Sequence, residues 1–259
     1  MKNVTKTIRG IAIMAGLCGM CCRSTSSPTL PTVEPVPKVL IFSKTVGFHH
    51  NSIEVGVPAI KKLGTENKFD VDETKEASQF TTDNLKRYAA VVFLSTTGDV
   101  LNSEQEAAFT KYIQGGGGFV GIHAAADCEY DWPWYGRLIG AYFKGHPATQ
   151  KADLMIVDAE HIATKHLPTI WERVDEWYTF KAAPKNVHVL INIDERSYDV
   201  SDDLKMGDEH PMAWYHDYDG GRAFYTELGH TDESFADPLY LQHILGGIKY
   251  AMGKKAPKN

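Results

Sequence analysis

The sequence predicts an α/β fold: a parallel sheet with helices on both faces, extended by antiparallel strands in the C-terminal half. Three observations predict it. Between residues 38 and 123, short continuous apolar runs alternate with segments of helical periodicity, as expected of strands buried on both faces and joined by crossover helices. Between residues 152 and 227, strand-like runs follow one another with few helices between them. Asp219-Gly-Gly221 between the last two runs is a hairpin signal.

Val39-Leu-Ile-Phe-Ser43 is the first buried run. Asn51 to Leu63 then carries Ile53, Val57, Ile60 and Leu63 at helical spacing. Phe69 to Glu73 reads as a short second strand and Ala89-Ala-Val-Val-Phe-Leu-Ser95 as a third. The next helix spans Ser103 to Gln114; Ser103 with Glu106 three residues on forms a capping-box pattern, and Gly115 to Gly118 ends it. Phe119-Val-Gly-Ile-His123 is the fourth strand. Ala152–Val157, Arg173–Phe180, Val187–Ile193, Met212–His216 and Arg222–Glu227 read as the antiparallel strands. A closing helix from Pro238 to Met252 presents Leu239, Ile244, Leu245 and Ile248. With no repeat or internal linker, one domain is expected from about residue 38 to 254.

Lys2, Lys6 and Arg9 precede a short apolar run, Ile11 to Met20, which is followed by Cys21 and Cys22. That order is expected of an export signal over residues 1–22, of the lipoprotein type if Cys21 or Cys22 is lipidated, or of a plain secretory signal. The Ser-, Thr- and Pro-rich stretch over residues 23–37 is expected to be a disordered tether. The protein is therefore expected to be periplasmic or anchored to the outer membrane, touching the membrane only through its N-terminal lipid. Loss of the signal removes three positive charges and no negative ones, taking the net charge from −6 to −9. Such a chain is a poor fit for nucleic acid, which attracts basic surfaces. Only Cys128 would remain, so no intrachain disulfide is expected.

Open parallel sheets bind ligands beyond the carboxyl ends of their strands. That rule selects Lys44-Thr-Val-Gly-Phe-His-His-Asn-Ser52 after the first strand and His123-Ala-Ala-Ala-Asp127 after the fourth. The second loop has the form of the sharp strand-to-helix turn that presents a nucleophile in hydrolases and amidotransferases. Its central residue is His123, which cannot repeat thiol or hydroxyl acyl transfer but can act as a base or bind a metal. Strand alternation places Glu176 and Tyr178 on one face, an acid beside a phenol, and Asp175 and Trp177 on the other. Asp127 can orient His123 or bind a ligand's hydroxyls, and His230 follows the last strand. Trp132, Trp134 and Tyr135 can stack on the apolar face of a ligand or dock against the sheet. Lys44 and His50 complete the substrate-binding candidates.

Gly47-Phe-His-His50 with Ser52-Ile53, then Gly116-Gly-Gly-Phe-Val-Gly-Ile-His123 with Asp127, resemble the ThuA-like (trehalose-utilisation) family. So do Phe143-Lys-Gly-His146-Pro147, Asp175-Glu-Trp-Tyr178, Pro211-Met-Ala-Trp214 with Gly221-Arg222, and Gly229-His230-Thr231. The resemblance runs from about residue 38 to 253. It implies a flavodoxin-like, class I glutamine amidotransferase-like fold lacking the nucleophile, and a role with trehalose or related disaccharides, including 3-keto-glycosides made by a partner sugar dehydrogenase. It makes His50 the counterpart of the family's histidine after Gly-Phe-x, and it implies that some members bind metal.

The expected function is thus a carbohydrate-active enzyme, a glycoside or 3-keto-glycoside hydrolase or lyase rather than an amidotransferase. His123, Glu176, Tyr178 and Asp127 are its candidate catalytic residues. A divalent metal such as zinc is a candidate cofactor on His50, His123 and His146; no nucleotide cofactor is expected. The alternatives are a non-catalytic carbohydrate-binding lipoprotein and a scaffold that serves only a protein partner.

Overall fold

The computed structural model describes residues 36–253 and isolated positions among the first ten. The export signal and nearly all of the tether anticipated before residue 38 lie outside the described residues. The strands, in chain order, are Lys38–Phe42 (β1), Asp70–Thr74 (β2), Ala90–Leu94 (β3), Gly118–Ile122 (β4), Phe143–Gly145 (β5), Gln150–Ile156 (β6), Ile170–Asp175 (β7), Thr179–Phe180 (β8), His188–Ile193 (β9), Pro211–Tyr218 (β10) and Gly221–Thr226 (β11). The α-helices are Ser52–Asn67 (α1), Thr82–Leu85 (α2), Ser103–Gln114 (α3), Pro133–Ile139 (α4) and Pro238–Met252 (α5).

Nine strands form one sheet in the order β2-β1-β3-β4-β11-β10-β9-β6-β7, and β5 pairs with β8 separately. The first five of that order are mutually parallel, the flavodoxin-like arrangement. From β11 onward every pairing is antiparallel, so the second half extends the sheet. β3 and β4 are buried along their whole length, which is why they read as unbroken apolar runs. In β7 the exposure alternates residue by residue, as it does in a strand with one face to solvent.

Phe224 of β11 faces α5, where Gly247 lets its ring approach closely. Tyr225 faces the opposite side, beside Gly121 and Ile139 of α4. Helices therefore cover both faces. At the hairpin, Asp219 and Gly220 both have positive φ, 48° and 94°, the primed turn that suits the twist of paired strands.

Two local expectations need correction. The N-cap of α3 is Asn102, not Ser103. Its side chain accepts from Glu104 N and Gln105 N, and the Gln105 side chain returns to the Asn102 N–H. The capping box is thus Asn102 with Gln105, one residue earlier than the Ser-x-x-Glu pattern suggests. The strand expected over Arg173–Phe180 is broken between β7 and β8. There the Glu176 N–H donates to the Asp175 carboxylate (3.1 Å) and the Tyr178 N–H to Glu227 Oε1 (3.1 Å). Side-chain carboxylates replace the ladder partner, and the backbone leaves the sheet.

Candidate active site

The carboxyl ends of β1, β3, β4 and β11 lie side by side, and the segment after β7 joins them. His50 precedes α1, His123 follows β4, His230 lies beyond β11, and Glu176 follows β7. His123 has φ of +51° at the head of a short 3-10 turn, His123–Ala126. The sharp strand-to-helix turn is therefore present, with an imidazole where a nucleophile would stand. Hydrogen bonds hold this residue on both sides: Tyr225 donates to its carbonyl (2.9 Å), and its Nδ1 lies 2.7 Å from the carbonyl oxygen of Glu227.

His123 Nε2 is 3.2 Å from His230 Nδ1 and 3.5 Å from Glu176 Oε2, and His230 Nδ1 is 3.2 Å from Glu176 Oε2. His50 closes the group, its ring 4.8 Å from that of His123 and 5.3 Å from that of His230, both edge-on. One ligand atom from each of the four residues falls within 4.8 Å of all the others. His50 Nδ1 is buried with no hydrogen-bond partner among the described residues.

The electrostatics follow from this crowding. Burial, and then His123 and His230, depress the pKa of His50 to about 3, so it is a neutral imidazole at neutral pH. At His123, burial opposes the imidazolium, but hydrogen bonds to Glu176 and Glu227 prevail and raise the pKa to about 10. Burial alone would raise the pKa of Glu176; hydrogen bonds to His123 and His230 instead hold it well below the usual carboxylate range. Burial lifts Glu227 to about 7 against the opposing hydrogen bond from His123.

Asp175 sets the frame around the cluster. Its fully buried carboxylate accepts from the backbone N–H of Glu176, Gly229 and His230, from Ser234 Oγ and from Arg173 (2.9 Å). It thus ties β7 to the loop carrying His230. Gly229 has φ of +115°, and a Cβ there would meet the Tyr240 hydroxyl at 2.2 Å, so only glycine permits this turn.

His50, His123, Glu176 and His230 therefore converge. His146 does not join them: its Nδ1 lies 3.1 Å from Glu176 Oε1, the oxygen turned away from the other histidines, and its side chain is 41% exposed. Of the candidate metal ligands His50, His123 and His146, only His50 and His123 lie in the group of converging ligand atoms, which Glu176 and His230 complete. The Tyr178 ring packs on that of His123 (4.4 Å between centroids), and burial keeps its hydroxyl protonated. Asp127 does not orient His123; its carboxylate accepts from the Tyr130 hydroxyl at 2.6 Å. Lys44 donates to the Val100 carbonyl (2.8 Å).

Trp132 and Trp134 lie elsewhere. They stack on one another, and Trp134 Nε1 donates to Asp219 in the hairpin, at the amino end of β11 and the far end of the sheet. Both are partly buried there, packed against the core. Glu227 escaped the sequence reading because it reads as the last residue of its strand. It stands one residue past β11, where the strand-end rule could have found it.

The family model described as "ThuA: Trehalose utilisation" matches residues 38–251. A ThuA-like protein from Bacteroides uniformis is 25% identical, with a TM-score of 0.73 over 87% of this chain and 95% of its own. A ThuA-like protein from Parabacteroides merdae shares the fold at 23% identity and a TM-score of 0.71, over 87% of this chain and 93% of its own. A β-galactosidase from Bacillus circulans shares the fold over 82% of this chain and 30% of its own, at 13% identity and a TM-score of 0.54. No curated protein matches the chain significantly. With the family pattern running through both halves of the sheet, the chain belongs to the ThuA family, and that membership supports a carbohydrate-related role.

Proposed function

We propose that this protein is an exported carbohydrate-active enzyme that cleaves a 3-keto-glycoside at a metal centre formed by His50, His123, Glu176 and His230. One observation carries the reading: the triangle of His123 Nε2, His230 Nδ1 and Glu176 Oε2, with sides of 3.2, 3.2 and 3.5 Å. Tetrahedral donors around zinc, at bonds of about 2.0–2.1 Å, stand roughly 3.3–3.4 Å apart. Three imidazoles and a carboxylate suit zinc or a similar ion. A bound ion also gives purpose to the partnerless, neutral His50. Such an ion would supply Lewis acidity to the substrate's carbonyl.

The chain's own groups divide the remaining work. With His123 and Glu176 serving as ligands, the base is His146, which Glu176 Oε1 orients from 3.1 Å. It takes the proton from C2, whose acidity comes from the C3 carbonyl. The electron pair forms the enolate and then expels the leaving oxygen as the C1–O bond breaks. Tyr178, kept protonated by burial, delivers the proton to that oxygen. Addition of water across C1 and C2 completes a net hydrolysis. Asp127, beyond β4 with its carboxylate on Tyr130, binds a substrate hydroxyl. A sugar dehydrogenase is the partner that would supply the keto group.

The test uses untagged protein and 3-keto-trehalose. Sugar release is expected with zinc, lost with chelator and restored by adding the ion back. No release under any of these conditions would falsify the proposal.

A further inference from the structure

Phe48 is the most exposed large aromatic among the described residues, at 66%, and Val46 beside it is 60% exposed. An apolar side chain left in water forgoes its burial energy, and these two sit on a loop that is firmly held. The N–H groups of Val46 and Gly47 donate to the Thr97 carbonyl (2.8 and 3.4 Å), and Thr97 Oγ1 donates to the Phe48 carbonyl (2.9 Å). Thr97 is fully buried, so the anchor is fixed. The phenyl ring meets the His50 imidazole edge-on, 4.8 Å away and at 79°. An open aromatic face thus adjoins the polar centre directly. The Asp127 carbonyl holds the Gly98 N–H (2.9 Å), which brings a carboxylate-bearing loop alongside.

From this juxtaposition we infer that Phe48, with Val46, is the platform on which the leaving pyranose ring packs. The inference rests on the carbohydrate reading above and deepens it. Pyranose rings present a C–H face that packs on an aromatic ring while their hydroxyls turn to polar groups. The reacting ring would occupy the histidine cluster and the leaving ring would lie on Phe48. The tryptophans cannot serve, because Trp134 is bound to Asp219 at the other end of the sheet.

Trehalose and methyl α-glucoside share one α-glucosyl unit and differ in the second ring, so they are the probes. NMR titration of the wild type should show trehalose binding about tenfold tighter, the scale of one good aromatic contact. In F48A this preference should fall to within about twofold, and in F48W it should persist. Zinc content equal to wild type in F48A separates loss of the platform from loss of the centre. A wild type with no preference, or a preference that survives in F48A, overturns the inference. A clear preference in a protein that leaves 3-keto-trehalose intact removes the catalytic reading and retains the platform.

Discussion

Among the described residues lie two clusters of potential metal-binding side chains, and they differ in what their buried members already do. In the first, His50, His123, Glu176 and His230 meet, and His50 Nδ1 is buried without a partner. In the second, Asp99, Glu106 and Glu129 approach one another with no imidazole among them. Its buried member is committed: Glu129 Oε1 accepts from the N–H groups of Val100 (2.9 Å) and Leu101 (2.8 Å). Proximity of carboxylates is common on acidic proteins. A group of imidazoles that keeps an unused buried nitrogen is not, because leaving such an atom unpaired costs free energy.

The largest expected effect separates the clusters outright. In His123→Ala or Glu176→Ala, zinc retained after dialysis should fall from about one ion per chain to roughly a tenth or less, because the proposed four-donor site depends on each ligand. Asp99→Asn should keep the wild-type content. Elemental analysis decides, and equal loss in both clusters would erase the distinction.

Next is the frame. Asp175→Ala leaves Arg173 buried without its 2.9 Å partner and strips acceptors from three backbone N–H groups. A loss of about 3–5 kcal/mol is expected, a fall in Tm of about 10 °C. Thermal unfolding checks it; a fall of under about 3 °C would show that the 229–234 loop holds its position without this carboxylate.

The smallest effect concerns Glu129. Burial, reinforced by Asp99 and Glu106 and opposed by the two backbone hydrogen bonds, raises its pKa to about 7. The unfolded carboxyl titrates near its ordinary value of 4.5, so between there and about pH 7 the unfolded chain binds fewer protons than the folded one. This group's contribution to stability therefore declines as pH rises through that window. Glu129→Gln preserves an acceptor and removes the buried charge. It should stabilise the protein by about 1 kcal/mol at pH 8 and have no effect near pH 4. A stabilisation independent of pH would contradict the assignment.

The parallel half was legible because strands buried on both faces must be apolar throughout, as Ala90–Leu94 is. His50, His123 and His230 were legible because strand ends in such sheets collect function. Glu176 was reached through an alternation that the backbone does not keep, since carboxylates rather than a neighbouring strand satisfy residues 176 and 178. Trp132 and Trp134 misled through closeness in sequence: they lie near Asp127 along the chain, yet Trp134 is bound at the hairpin. His146 looked like a ligand because its distance from the other histidines depends on how β5 packs on β8, a pairing that no local pattern announces.

The four donors are spread from residue 50 to residue 230, and no disulfide links the stretches between them, since Cys128 is a free thiol. An ion held there, as proposed, would be a reversible staple joining the parallel and antiparallel halves. Its binding energy would add to resistance against unfolding, so chelation should leave the chain more readily clipped by proteases even where its fold at rest is unchanged.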